Sequence, residues 1–113
     1  MSDNCIFCKI INGQIPANKL YEDDELLAFW DISPQAPKHF LLIPKKHISG
    51  PGAIKEEDEQ LIGRLTRKAG DLARENGVSS FRLVFNEGPE AGQTVFHIHM
   101  HVLGGRAMSW PPG

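Results

Sequence analysis

The hydrophobic positions of this 113-residue chain change period several times, and each change marks a predicted element. Near the N-terminus, Ile6, Phe7, Ile10 and Ile11 supply the apolar positions of a short helix over residues 5–12, and the pair Asn12-Gly13 supplies its stop. Pro16 opens an extended stretch. "KLYED" and "ELLAFWDI" read as two strands around the acidic turn at Asp23 and Asp24, and "HFLLIP" as a third after the proline-bearing connection "SPQAPK". Over 55–76 the spacing becomes three and four, with Leu61, Ile62, Leu65, Ala69, Leu72 and Ala73 on one helical face. Glu56, Glu57 and Asp58 suit the positive end of that helix, and Asn76-Gly77 its stop. "FRLVFN" and "TVFHIHMHVL" give two more strands, and the tail "GGRAMSWPPG" has no regular pattern. These elements predict an α+β fold, a five-stranded antiparallel sheet with one main helix and a short N-terminal helix. With no repeat and no linker, residues 1–113 read as a single domain.

The last predicted strand carries the candidate chemistry. It places three of the chain's five histidines, His97, His99 and His101, at alternate positions. A strand puts such positions on one face, with Phe96, Ile98, Met100 and Val102 on the other, packed side; a helix would turn them about 200° apart at each step. At roughly 3.3 Å per residue the outer two lie about 13 Å apart, too far for all three to hold one metal ion. The rings must divide their labour.

Composition narrows the partners. With 41% hydrophobic and 23% charged residues and a net charge of −2, the chain is an ordinary globular one without a long basic run, which argues against a protein that grips DNA or RNA. The N-terminal "MSDNCIFCKI" has no positive leader followed by an apolar core, and no later run approaches a membrane span; the expectation is a soluble cytoplasmic protein. Only Cys5 and Cys8 are present, spaced for a metal rather than for a staple. Two unconnected buried thiols, or a redox pair without its usual strand and crossover helix, are the alternatives.

Two readings of the histidines compete. In one, His97 and His99 chelate a catalytic zinc from a shared strand face, with a remote third ligand and an open water position, as in a metal-dependent hydrolase. In the other the metal is structural, held by Cys5, Cys8, His47 and His97, and a free imidazole attacks the substrate. An imidazole is a fair nucleophile near neutral pH and forms a labile P–N bond, so it can carry a phosphoryl or nucleotidyl group. Gly92, Gln93 and Thr94 form a loop whose amides and hydroxyl suit phosphate oxygens, and Asn86 can donate an amide N–H beside them.

The run His97-Ile98-His99-Met100-His101-Val102-Leu103, with "DISPQAPKHFLLIPKKHI", "NEGPEAGQTVFHIHMHVLGG" and "WPPG", resembles the histidine triad superfamily over nearly the whole chain, and looks like its Hint branch, the histidine triad nucleotide-binding proteins. The resemblance implies a homodimeric purine nucleoside phosphoramidase that needs no catalytic metal or organic cofactor. It implies His99 as the nucleophile, His101 at the phosphate and leaving group, and His39 in the proton network. Asn86, Gly92 and Thr94 match phosphate-side positions, Asp31 the ribose carboxylate, and Ile6, Phe7, Ile10, Phe29, Ile32 and Leu41 the base pocket. Trp110 in the tail would reach a partner's active site. The related galactose-1-phosphate uridylyltransferases bind zinc through a similar Cys-Cys-His-His set, which supports a structural metal. Trp30 stands where animal Hint proteins commonly have His, which would alter the edge of the base pocket. The rivals are a Fhit-like dinucleoside polyphosphate hydrolase and a catalytically idle nucleotide-binding or scaffolding protein.

Overall fold

The computed structural model describes residues 4–113; the first three residues of the predicted 1–113 domain lie outside the described residues. The elements follow in the order α1 (Ile6–Ile11), β1 (Lys19–Glu22), β2 (Leu26–Trp30), β3 (Lys38–Pro44), α2 (Glu59–Glu75), β4 (Phe81–Val84) and β5 (Met100–Gly104). The five strands form one antiparallel sheet in the order β1-β2-β3-β5-β4. Sequential β1, β2 and β3 make the expected meander, and β5 then inserts between β3 and β4, leaving β4 at an edge.

Strand alternation sorts the core into two layers. One sheet face presents Leu26, Ala28, Phe40, Leu42, Met100 and Val102 to Leu65, Ala69, Leu72 and Ala73 of α2. The opposite face presents Leu27, Phe29, Leu41 and Ile43 to Phe7, Cys8 and Ile10 of α1. The buried residues of α2 fall at intervals of four, three and one, the stripe that a 3.6-residue period lays on one side. Both predicted stops hold: Gly13 and Gly77 adopt φ values of +79° and +81°, the left-handed region that ends a helix at little cost only for glycine. The main helix starts later than its polar pattern predicted. Glu56–Asp58 forms a 3-10 turn, in which Asp58 accepts from the Lys55 main-chain N–H at 3.0 Å and pairs with Lys46 Nζ at 2.5 Å.

The last strand also differs from expectation. Regular pairing begins only at Met100, and residues 95–97 form a bend. Phe96, predicted on the packed face, is therefore half-exposed, because alternation does not hold where the chain leaves the ladder. Ile98 is still fully buried, its N–H bonded to the Ile48 carbonyl. Among the described residues, no helix is long and apolar enough to cross a membrane.

Candidate active site and metal cluster

The bend before β5 divides the three histidines spatially. His97 is fully buried and turned to the N-terminal helix, whereas His101 lies on β5 opposite Leu41 and Val84. His99 sits between them, its ring centroid 5.1 Å from that of His101 and 5.1 Å from that of Phe7, which meets it edge-on.

Around His97, four donors converge. Cys5 Sγ is 3.4 Å and Cys8 Sγ 3.6 Å from His97 Nδ1; His47 Nδ1 lies 3.3 Å from Cys8 Sγ and 3.2 Å from His97 Nδ1. A tetrahedral zinc with bonds of about 2.3 Å to sulfur and about 2.05 Å to nitrogen needs S···N and N···N edges of roughly 3.5 and 3.3 Å, so these separations match without rearrangement. The ring chemistry fits as well. His97 Nε2 lies 2.8 Å from the Pro44 carbonyl, which can only accept, so the proton sits on Nε2 and the Nδ1 lone pair faces the sulfurs. Burial holds His97 down at about 4, against the pull of that carbonyl, so the ring stays neutral. Cys5 caps α1, its Sγ accepting from the Cys8 N–H at 3.3 Å. The four residues lie close enough to hold one metal ion.

The other two triad rings have complementary protonation. His99 Nδ1 donates to the His97 carbonyl at 2.8 Å, which leaves Nε2 of the neutral ring with its lone pair free. His101 is wired the opposite way. The Gln35 main-chain N–H donates to His39 Nδ1 at 3.0 Å, so neutral His39 carries its proton on Nε2 and donates to His101 Nδ1 at 2.9 Å. His101 then bears its proton on Nε2. Burial lowers His39 from its ordinary value despite Asp31 nearby, and burial with the His99 and His39 rings holds His101 at about 4. Asp31, His39 and His101 are also close enough for a metal. The Gln35 N–H excludes that use in this arrangement, since it occupies the Nδ1 lone pair and keeps the proton on the nitrogen a metal would need.

An apolar pocket of about 220 Å³ opens beside this row, and Ile6, Phe7, Ile10, Phe29, Asp31, Ile32 and Leu41 all line it. All seven residues assigned by resemblance to base and ribose are thus brought together. Asp31 Oδ1 accepts from the Ser33 N–H at 2.7 Å and Oδ2 lies 3.5 Å from His39 Nε2, which fixes the carboxylate at the pocket's polar end. Ile15, Pro16, Ala17 and Asn18 complete the wall; the segment after the Asn12-Gly13 stop, with Pro16, was the only signal for them. Trp30 borders the pocket, but its ring packs edge-on against Phe40 at 5.9 Å, on the face covered by α2. Trp30 thus stands at the edge of the pocket, while its ring also packs in the layer under α2.

The loop before the bend is only partly as expected. The N–H groups of Gly92 and Gln93 are spent on the carbonyls of Pro89 and Gly88, and the Gln93 side chain, 2% exposed, on Gly88, Ser49 and Val95. Thr94 is exposed, and Asn86 lies two residues beyond the Val84–His101 pair and next to Gly92. Trp110 is 82% exposed and lies outside the pocket of its own chain.

A family model described as "Scavenger mRNA decapping enzyme C-term binding" matches residues 4–110. An uncharacterised HIT-like protein of Synechocystis sp. is 54% identical over the full length of both chains. The chain belongs to the histidine triad (HIT) family. Its fold is that of solved HIT proteins. The crystal structure of a HIT family hydrolase from Legionella pneumophila superposes with a TM-score of 0.95 at 51% identity, covering 97% of this chain and 100% of that one. A HIT family hydrolase from Clostridium thermocellum gives 0.93 at 42% identity, covering 96% of each.

Proposed function

We propose that this HIT protein is a nucleotide-binding hydrolase that cleaves the P–N bond of purine nucleoside 5′-phosphoramidates through a nucleotidyl-histidine. The observation that carries the reading is the pair of adjacent imidazoles with opposite wiring: His99 with a free Nε2 lone pair, His101 with a proton on Nε2. The base enters the apolar pocket, Asp31 takes the ribose hydroxyls, and the α-phosphate lies between His99 and the Asn86 and Thr94 donors. His99 Nε2 attacks phosphorus as the P–N bond breaks, and the His101 Nε2 proton goes to the departing amine. Water then attacks the phosphorus of the nucleotidyl-His99 and returns a proton to His101, releasing a nucleoside monophosphate. Solved relatives named as hydrolases support the reaction class.

The same reading assigns a closed structural zinc to Cys5, Cys8, His47 and His97. Bound there, the ion ties α1 to the sheet and leaves no position for substrate. It also assigns a homodimer in which the β4 edges and the α2 helices pair across subunits, each open edge strand covered by a second copy, with Trp110 reaching the partner's site.

The test is turnover of adenosine phosphoramidate by wild type and His99→Ala, with a diadenosine polyphosphate as comparator. Wild type should release ammonia and the monophosphate with net retention at a chiral phosphorus, and His99→Ala should bind nucleotide without turning it over. Inversion, or near-normal turnover by the variant, refutes the mechanism; preference for the diadenosine compound assigns the Fhit-like activity instead, and no turnover of either leaves a binding protein.

A further inference from the structure

The loop that faces the phosphate is fastened from behind by two side chains that do not themselves point at substrate. Gln93 is buried, and every donor and acceptor group of its amide is engaged: Oε1 accepts from the Gly88 N–H at 2.8 Å, while Nε2 donates to the Ser49 carbonyl at 2.8 Å and the Val95 carbonyl at 3.1 Å. Glu87, next to Asn86, accepts from the Gly52 N–H at 2.6 Å. Gly50 is buried between them, and a Cβ there would meet Glu87 Oε1 at 2.6 Å and Gln93 Nε2 at 3.2 Å, so the two side chains fill the space a larger residue would need. The segment they grip, residues 48–53, follows His47 of the metal cluster directly, and its Ile48 carbonyl holds the Ile98 N–H between His97 and His99.

We propose that Gln93 and Glu87 are positioning residues that clasp the phosphate-facing loop, residues 86–94, to the 48–53 segment, and thereby set the affinity of the site for a nucleotide's phosphate. This rests on the nucleotide reading above. Four of the bonds cross or close the loop, and none touches the apolar pocket or Asp31. Loosening the clasp therefore displaces Asn86 and Thr94 while leaving the base and ribose contacts in place. Charge alone predicts the opposite sign, because Glu87 brings a negative charge near an anion, and its removal would tighten phosphate binding.

Calorimetric titration of the full chain with adenosine 5′-monophosphate and with adenosine separates these effects. Glu87→Ala should weaken the monophosphate roughly five- to tenfold, the equivalent of one lost hydrogen bond, and leave adenosine within about twofold. Glu87→Gln, whose amide oxygen still accepts from Gly52 N–H, should restore near wild-type binding. Gln93→Met should show a larger loss of the same selectivity; if it does not fold, the Glu87 pair decides. Unchanged or tighter monophosphate binding by Glu87→Ala, or an equal loss for adenosine, overturns the clasp. A wild-type protein that binds neither compound overturns the nucleotide reading and the clasp's role with it.

Discussion

Replacing His101 with Gln keeps a polar side chain of similar reach but removes the ability to take a proton, which isolates one imidazole's contribution to acid unfolding. Folded His101 is held at about 4, by burial first and by the His99 and His39 rings after it, from an ordinary 6.5. As pH falls, the unfolded chain takes up this proton near 6.5 while the folded chain refuses it until about 4. The unfolded state then binds more protons, so stability drops across that window, from none lost above about pH 7 to the full amount below about pH 4. The gap corresponds to roughly 3 kcal/mol at about 1.4 kcal/mol per pH unit, and water at the half-buried ring reduces the expected loss to about 2 kcal/mol. Urea denaturation of wild type and His101→Gln from about pH 7.5 to about pH 4.5 measures it, the difference between the two reporting His101 together with its hydrogen-bonded partner His39 and cancelling titrating groups that neither ring touches. The wild type should lose about 2 kcal/mol relative to the variant. Parallel stability curves would refute the burial argument.

Metal analysis should find about one zinc per chain, and chelation should lower the melting temperature before it reduces the turnover of protein still folded. Asp31→Ala should cost about 1–3 kcal/mol in nucleotide binding, because pocket groups lose a partner for the ribose hydroxyls; equal affinity of wild type for ribo- and 2′,3′-dideoxyribonucleotides would remove Asp31 from that role. Sedimentation should give a dimer at micromolar concentration, and deletion of residues 109–113 should change which leaving groups are preferred; a monomer, or unaltered preference, contradicts each in turn.

What the sequence revealed depended on whether side-chain identity or main-chain direction carried the information. The five strands, both helices and the two glycine stops follow from period and turn chemistry, which are local. The seven pocket residues follow from family resemblance, and the fold gathers them at one opening. Trp30 serves both layers: it lines the pocket, and its alternation with Leu26 and Ala28 also packs it under α2. The bend at 95–97 was invisible, because the residues before Met100 keep strand-like alternation while the chain bonds to Ile48 rather than to a neighbouring strand. The protonation of the site lay beyond the residue pattern altogether: the Pro44 and His97 carbonyls and the Gln35 N–H fix it, and main-chain groups are identical in every sequence. The place of Gln93 in the loop suggests a phosphate contact, whereas its side-chain donors are used to build the loop.

The shortness of α1 has a consequence for anyone recombining HIT proteins. Six residues make too little helix to persist alone in water, so this one depends on what it is attached to. Its N-cap and third residue are Cys5 and Cys8, while Ile6, Phe7 and Ile10 on the same turn and a half form one wall of the pocket. The two cysteines and the pocket wall are therefore inherited as a unit. A chimera that takes the apolar wall without His47 and His97, or the two cysteines without the sheet face that receives Phe7, transplants half a part, and the graft should include residues 5–11 together with both histidines.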